Sequence, residues 1–207
     1  MRDEAVGPSR RDEYAEMTRR DVVKAARALF AEYGYEGTTV AKIAHTARVS
    51  PATVYAQCGG KEGLLTTLID LWAAGPLNRD LIASCASVPT GREKLDALCH
   101  WYRATYVECG DILQIVTRAA ATAPVAESYM NVATAKHLTA LTAVAAQIRH
   151  AGDLADGLGT EDAASIIFFH FRYDQYVLCA ERFAWGEERT LSWLTHQVAT
   201  AILRQTV

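Results

Sequence analysis

The chain has no apolar run approaching the roughly 18 residues a membrane-spanning helix needs, and no signal-peptide pattern opens it. The sequence therefore predicts a soluble, cytoplasmic protein. Its five cysteines (58, 85, 99, 109 and 179) are odd in number and scattered, with no C-x-x-C spacing. That excludes a disulfide framework and a cysteine zinc cluster, and it fits reduced thiols. No nucleophile elbow, glycine-rich phosphate loop or H-E-x-x-H is present, so nothing in the sequence announces an enzyme, and no metal or cofactor is expected. Strand-like alternation, internal repeats and low-complexity tracts are also missing. An excess of positive charge is missing too: the net charge is −3, which at first argues against a nucleic-acid partner.

What is present changes that reading. Half of the residues are hydrophobic and 22% are charged, enough for a sizeable core. The charge is unevenly spread. Residues 18–61 carry Arg19, Arg20, Lys24, Arg27, Lys42, Arg48 and Lys61 against Asp21, Glu32 and Glu36, a balance of +4 that leaves −7 on the rest. A basic head on an acidic body suits a protein that meets phosphate with one end.

The head is punctuated tightly. Val22, Val23, Ala26, Leu29 and Phe30 recur at helical spacing, predicting a helix over 18–33 that stops at Gly34, with Tyr35 folding back on its last turn. Thr39 is placed to cap a short helix over 40–47, and Ser50 with Pro51 at N1 to start another over 51–57, ended by Gly59-Gly60. Two short helices joined by about three residues cross steeply, as in a helix-turn-helix, and the second can enter a major groove.

Residues 18–65 resemble the N-terminal domain of the tetracycline-repressor (TetR/AcrR-like) family of transcription regulators. The resemblance rests on Ala25-Ala26, Leu29-Phe30, Gly34-Tyr35, Thr38-Thr39-Val40, Ile43-Ala44, Val49-Ser50, Thr53-x-Tyr55 and Lys61-Glu62 before Leu64-Leu65. It departs at Arg48, where the family has a turn glycine, and at Cys58, where an aromatic is usual. The resemblance implies that Thr39, Thr53, Tyr55 and Lys61 hold phosphates and that Pro51, Ala52, Ala56 and Gln57 face the bases. Gln57 is the residue able to make a bidentate contact, preferentially to adenine. Arg48 and Ser50 complete the candidate interface. The plainer alternative is that Thr53 only caps and Tyr55 is largely core.

The rest of the chain reads as helical. The expected organisation is a flexible basic arm over 1–17, in which Arg10 and Arg11 are either solvated or touch DNA, then the head over 18–65 and a body over 66–207. A helix from Lys61 is expected to end or kink at Gly75-Pro76. Thr90-Gly-Arg-Glu93 forms a capping box opening a helix to about 109. Gly110 should stop that helix, with Asp111 capping a short one to 120. A long helix follows over 124–152, then one over 160–185 capped by Thr160, and a last one over 187–205. The expected fold is all-α, with about nine helices.

By the resemblance, the body binds a small molecule and dimerises. Trp101, Tyr102, Arg118, Tyr129, His137, Phe169, His170, Tyr173 and Asp174 are the candidate pocket residues, an aromatic wall with a few polar groups. Each has a plain alternative as a satisfied core residue. His170 and Asp174, at i,i+4, are more simply an intrahelical hydrogen bond than a metal pair. Trp185, Leu191, Leu194, Val198 and Ile202 make an apolar stripe for a homodimer interface, or they complete the monomer's own core. The sequence thus predicts a homodimeric repressor that binds a palindromic double-stranded operator and is released by a hydrophobic or aromatic effector. The alternatives are a body that binds a protein partner or nothing, and an all-α enzyme.

Overall fold

A computed structural model describes residues 10–73 and 77–205; the expected break at Gly75-Pro76 falls outside them. Among the described residues there are ten α-helices and no strand beyond one isolated bridge between Leu154 and Leu203. The helices are α1 (Arg10–Gly37), α2 (Val40–Thr46), α3 (Pro51–Cys58), α4 (Gly60–Ala73), α5 (Leu77–Ala86), α6 (Gly91–Ala119), α7 (Pro124–His150), α8 (Thr160–His170), α9 (Tyr173–Val177) and α10 (Gly186–Ile202). A π-helical turn, Leu178–Arg182, follows α9. The chain divides into two compact units, 1–72 with 115–128 and 73–114 with 129–207. The expected division at residue 65 therefore differs twice over: the head keeps most of α4, and it takes in a later segment carrying the buried Ile115, Val116, Ala119, Ala123 and Ala126.

In the first unit, α1 starts at Arg10, eight residues before the expected Thr18. Residues 10–17 are thus helical and not a flexible arm. Asp12 and Glu13 favour the start by opposing the helix dipole. The Thr18 hydroxyl donates back to the Tyr14 carbonyl, and Arg20 pairs with Glu16 at i,i+4. Val22, Ala25, Ala26 and Phe30 form the buried face. Regular helix ends at Gly34, whose φ of 75° and ψ of 168° turn the chain. The buried Thr38 hydroxyl lies 2.8 Å from the Gly34 carbonyl and 3.1 Å from that of Leu29, closing the helix end. Tyr35 packs on Phe30, with ring centroids 5.4 Å apart.

In the second unit the Thr90–Glu93 capping box is complete. The Glu93 carboxylate accepts from the Thr90 amide at 3.0 Å, and the Thr90 hydroxyl accepts from the Glu93 amide at 3.2 Å. Asp153 adds a cap from 62 residues away, accepting from the Gly91 amide at 2.5 Å. Helix α6 does not stop at Gly110 but runs unbroken to Ala119. The glycine is there for space: a Cβ on it would stand 2.9 Å from the Tyr173 hydroxyl.

The expected single helix over 160–185 is broken. Gly159, not Thr160, is its N-cap. Arg172 adopts an extended ψ of 144°, and the Phe171 carbonyl receives the Tyr106 hydroxyl instead of continuing the helical ladder. Lys94, a charge buried inside this unit, donates to the Cys85 carbonyl at 3.0 Å and to that of Val88, satisfying the end of α5.

Candidate nucleic-acid interface

The head presents α3 by two local caps. Thr39 has extended φ/ψ, and its side chain accepts from the Lys42 amide. Ser50 is likewise extended and accepts from the Thr53 amide at 3.1 Å, with its hydroxyl 2.9 Å from that of Thr53. Ile43, Ala44, Val54 and Cys58 turn inward, fixing the two short helices against the head's core. The turn between them requires a left-handed residue, and Arg48 supplies it at φ 56°. That conformation costs a side-chain-bearing residue about 1 kcal/mol relative to glycine. Arg48→Gly should therefore stabilise the protein by up to about 1 kcal/mol in urea titration while removing one surface charge beside α3.

Pro51, Ala52, Tyr55 and Ala56 are exposed along one side of α3, and Thr53 is half-buried. The Tyr55 ring is 61% exposed yet pinned, because Gly60 lies beneath it. A Cβ on Gly60 would come within 2.7 Å of the ring, and Gly60 holds φ 73°. The ring's posture thus depends on a glycine to which the sequence reading gave only the role of ending α3. Its carrier is the left-handed Gly59 cap at φ 67°, whose amide donates to the Tyr55 carbonyl.

Two candidates stand differently from expectation. Lys61 does not project outward from the start of α4. Its ammonium donates to the Tyr35 carbonyl at 3.0 Å, sits 4.1 Å from the Tyr35 ring centroid and lies 3.8 Å from a Glu36 carboxylate oxygen. It clamps the α1–α2 link to α4 through a carbonyl hydrogen bond and a cation–π contact. Gln57 is half-buried, with its amide oxygen buried and without a partner among the described residues. In this placement the amide oxygen faces away from solvent, so a base contact through it requires a different rotamer. Cys58, in the position where an aromatic was expected, is buried, and burial raises its thiol pKa while the Arg19 charge opposes that rise.

The body candidates fall into two groups. Tyr102, His137 and Trp101 come together: the Tyr102 hydroxyl lies 2.5 Å from His137 Nε2, and Trp101 stacks on the imidazole at 5.7 Å. Phe171 stacks on Tyr102 at 4.6 Å, and Tyr173 reaches Tyr106 at 5.4 Å. The others are Arg118, Phe169, His170, Asp174 and Tyr129. Arg118 is exposed and belongs to the first unit. Phe169 is 58% exposed on α8. His170 bonds the Ile166 carbonyl, and Asp174 pairs with Arg172 across the helix break, so the expected i,i+4 pair does not form. Tyr129 is half-buried near the start of α7.

Burial holds His137 neutral, with its pKa pushed down to about 4. The unfolded imidazole takes a proton near its ordinary pKa and the folded one does not, so stability is full above that value and falls as pH drops from about 6.5 toward 4. The loss is at most about 3 kcal/mol. Chemical denaturation at pH 7.5 and 4.5 should show it, and His137→Phe should shrink the difference.

The apolar stripe of α10 faces inward. Leu191, Leu194, Val198 and Ile202 are buried within their own unit, where α10 packs on α8. They complete the monomer's core and are not a free interface. Trp185 is half-buried, in contact with Phe183 and Trp193 and with the Arg189 guanidinium over its ring at 4.6 Å.

Residues 22–68 match the family model described as bacterial regulatory proteins, tetR family. No curated protein sequence matches the chain. Among solved structures, NalD, the secondary repressor of the MexAB-OprM multidrug efflux pump in Pseudomonas aeruginosa, superposes with a TM-score of 0.74 at 18% identity, covering 94% of this chain and 100% of that one. The complex of SmeT with triclosan gives 0.73 at 18% identity, over 91% and 93% of the two chains. SmeT represses the SmeDEF multidrug efflux pump of Stenotrophomonas maltophilia. The fatty acid degradation regulator FadR of Bacillus halodurans gives 0.69 at 19% identity, over 88% and 94%. At these identities the structural likenesses establish the fold, that of TetR-type transcription regulators. No helix among the described residues is long and apolar enough to cross a membrane.

Proposed function

We propose that this chain, whose N-terminal domain belongs to the tetR family of bacterial regulatory proteins, is a homodimeric repressor of a palindromic operator, relieved by a small hydrophobic or aromatic molecule. One observation carries the DNA reading. The capped α2–α3 pair holds Pro51, Ala52, Tyr55 and Ala56 outward together, on a two-turn helix of groove-entering size. Tyr55 and the capping hydroxyls of Thr39, Ser50 and Thr53 offer donors to phosphate, while the small Ala52 and Ala56 admit close approach to thymine methyls. So short a helix reads few bases, which favours two heads on a symmetric site.

The effector's chemistry follows from the body. The hydroxyls of Tyr102 and Tyr106 are already engaged, by His137 and the Phe171 carbonyl. These rings are buried and packed on one another, so an effector that entered among them would meet aromatic and apolar surroundings, the recognition chemistry of an apolar or aromatic compound. The structural relatives that repress drug efflux pumps, one of them in complex with triclosan, support the same class. A genomic-fragment selection with the purified protein, followed by footprinting, tests the proposal. A two-fold-symmetric protected site, lost on titration with an aromatic effector, is expected. Absence of enrichment over bulk DNA at moderate salt would refute it.

A further inference from the structure

The Tyr35 carbonyl is a meeting point of two parts of the head. It accepts from the Thr38 amide at 3.3 Å and from the Lys61 ammonium at 3.0 Å, the latter across 26 residues of chain. The same ammonium stands 4.1 Å from the centre of the Tyr35 ring, which packs on the buried Phe30 of α1. The Lys61 side chain is 24% exposed, and a Glu36 carboxylate oxygen lies 3.8 Å from its charge. Reaching outward to a phosphate would cost this cation the ring face and the carbonyl.

Between residues 35 and 61 lies the whole α2–α3 pair. At one end Thr38 is buried, its hydroxyl donating to the Leu29 and Gly34 carbonyls, and Thr39 caps α2. At the other end Gly60 lies beneath the Tyr55 ring and Gly63 fits against the Cys58 carbonyl, so the first turn of α4 sets the end of α3. Lys61 stands between these two glycines in sequence. Its clamp therefore joins the entry to α2 with the exit from α3, and it closes the helix-turn-helix into a loop. Holding both ends of a segment at one point removes freedom from what lies between. Ile43, Ala44, Val54 and Cys58 bury the inner side of the pair, but apolar burial is non-directional. The bond at the neck of the loop adds direction.

We infer that Lys61 and Tyr35 are positioning residues for DNA recognition: their contact closes residues 35–61 and sets where α3 stands, and Lys61 is not a phosphate ligand. This rests on the DNA-binding reading above. It replaces the phosphate role that the family resemblance implies for Lys61 with a role inside the head.

The test measures binding of the full-length protein to the selected operator and to an unrelated duplex of the same length, over a range of salt and below the thermal midpoint. Lys61→Met keeps the length of the side chain and removes its charge and donors. It should lower operator affinity about tenfold, the scale of one lost base contact, with the slope of log K against log salt unchanged. Tyr35→Leu alters no charge and should cost about as much. The two combined should cost little more than either alone, because they remove one shared contact. Tyr35→Phe keeps the ring face and the carbonyl and should bind as wild type does. Lys61→Arg should recover most of the loss. Weak binding of the unrelated duplex should barely change, so the ratio of the two affinities falls. A slope lower by about 0.9 for each Lys61→Met head, with Tyr35→Leu binding the operator like wild type, would make Lys61 a phosphate contact and overturn the inference. So would a lower thermal midpoint with the affinity ratio intact, the mark of a merely structural role. The slope for Lys61→Met decides even where Tyr35→Leu does not fold. Wild type that fails to tell the operator from the unrelated duplex would instead bring down the DNA reading itself.

Discussion

Gly63→Ala should abolish operator binding and destabilise the head by several kcal/mol. The α3–α4 connection is a left-handed pair, Gly59 and Gly60, and it returns the chain so sharply that a Cβ on Gly63 would stand 2.0 Å from the Cys58 carbonyl oxygen. That clash is with backbone, so no rotamer change relieves it. Either the α3 C-terminus moves or α4 unwinds its first turn. Both displace Tyr55, whose ring rests on Gly60, and both loosen the Lys61 clamp on Tyr35. Overpacking alone costs about 1–3 kcal/mol, and the lost contacts add to it. Gly59→Ala is the graded control: its Cβ would meet only the Gly63 Cα, at 3.6 Å, so it pays only the left-handed penalty, about 1 kcal/mol. Urea unfolding and fluorescence anisotropy on the selected operator would rank the two. Near-equal effects would mean that the tight α3–α4 turn does not position the interface.

The second large effect concerns assembly. With Leu191, Leu194, Val198 and Ile202 committed to the core, the large apolar side chains left outward on the packed pair α8 and α10 are Phe169, 58% exposed, and Trp193, 41% exposed. Aromatic anchors of this kind carry a large share of the energy in protein interfaces. For the homodimer proposed above, Phe169→Arg/Trp193→Arg should leave a folded monomer at micromolar concentration in sedimentation velocity. It should also weaken operator binding by at least two orders of magnitude, because each head would then bind alone. Leu194→Arg should unfold the second unit instead, since that side chain is buried. A double variant that stays dimeric would place the interface elsewhere.

What the sequence made legible was local. Thr39, Ser50 and Thr90–Glu93 cap the helices they were expected to cap, because a cap is written within four residues. Arg48 takes the left-handed backbone at the position where the resembling family carries a turn glycine. What stayed hidden was decided across long separations. The break after α8 arises because Tyr106, 65 residues away in sequence, takes the Phe171 carbonyl. Gly110 reads as a stop by propensity, but Tyr173 makes it a contact point inside an unbroken helix. Lys61 reads in the sequence as a phosphate contact and Lys94 carries no signal there; the carbonyls that face both appear only in the fold. The stripe on α10 shows the limit of periodicity: an apolar face says that something covers it, not whether the cover is the same chain. For Gln57, residue type suggested a base reader, while packing turned its oxygen inward.

The central claim is that α3 enters the major groove of a symmetric site. Methylation interference on the selected operator tests it most directly, because guanine N7 lies in that groove. The account predicts two dyad-related patches of interference, about one helical turn or a multiple of it apart. Interference at a single patch, or protection confined to the minor groove, would contradict it.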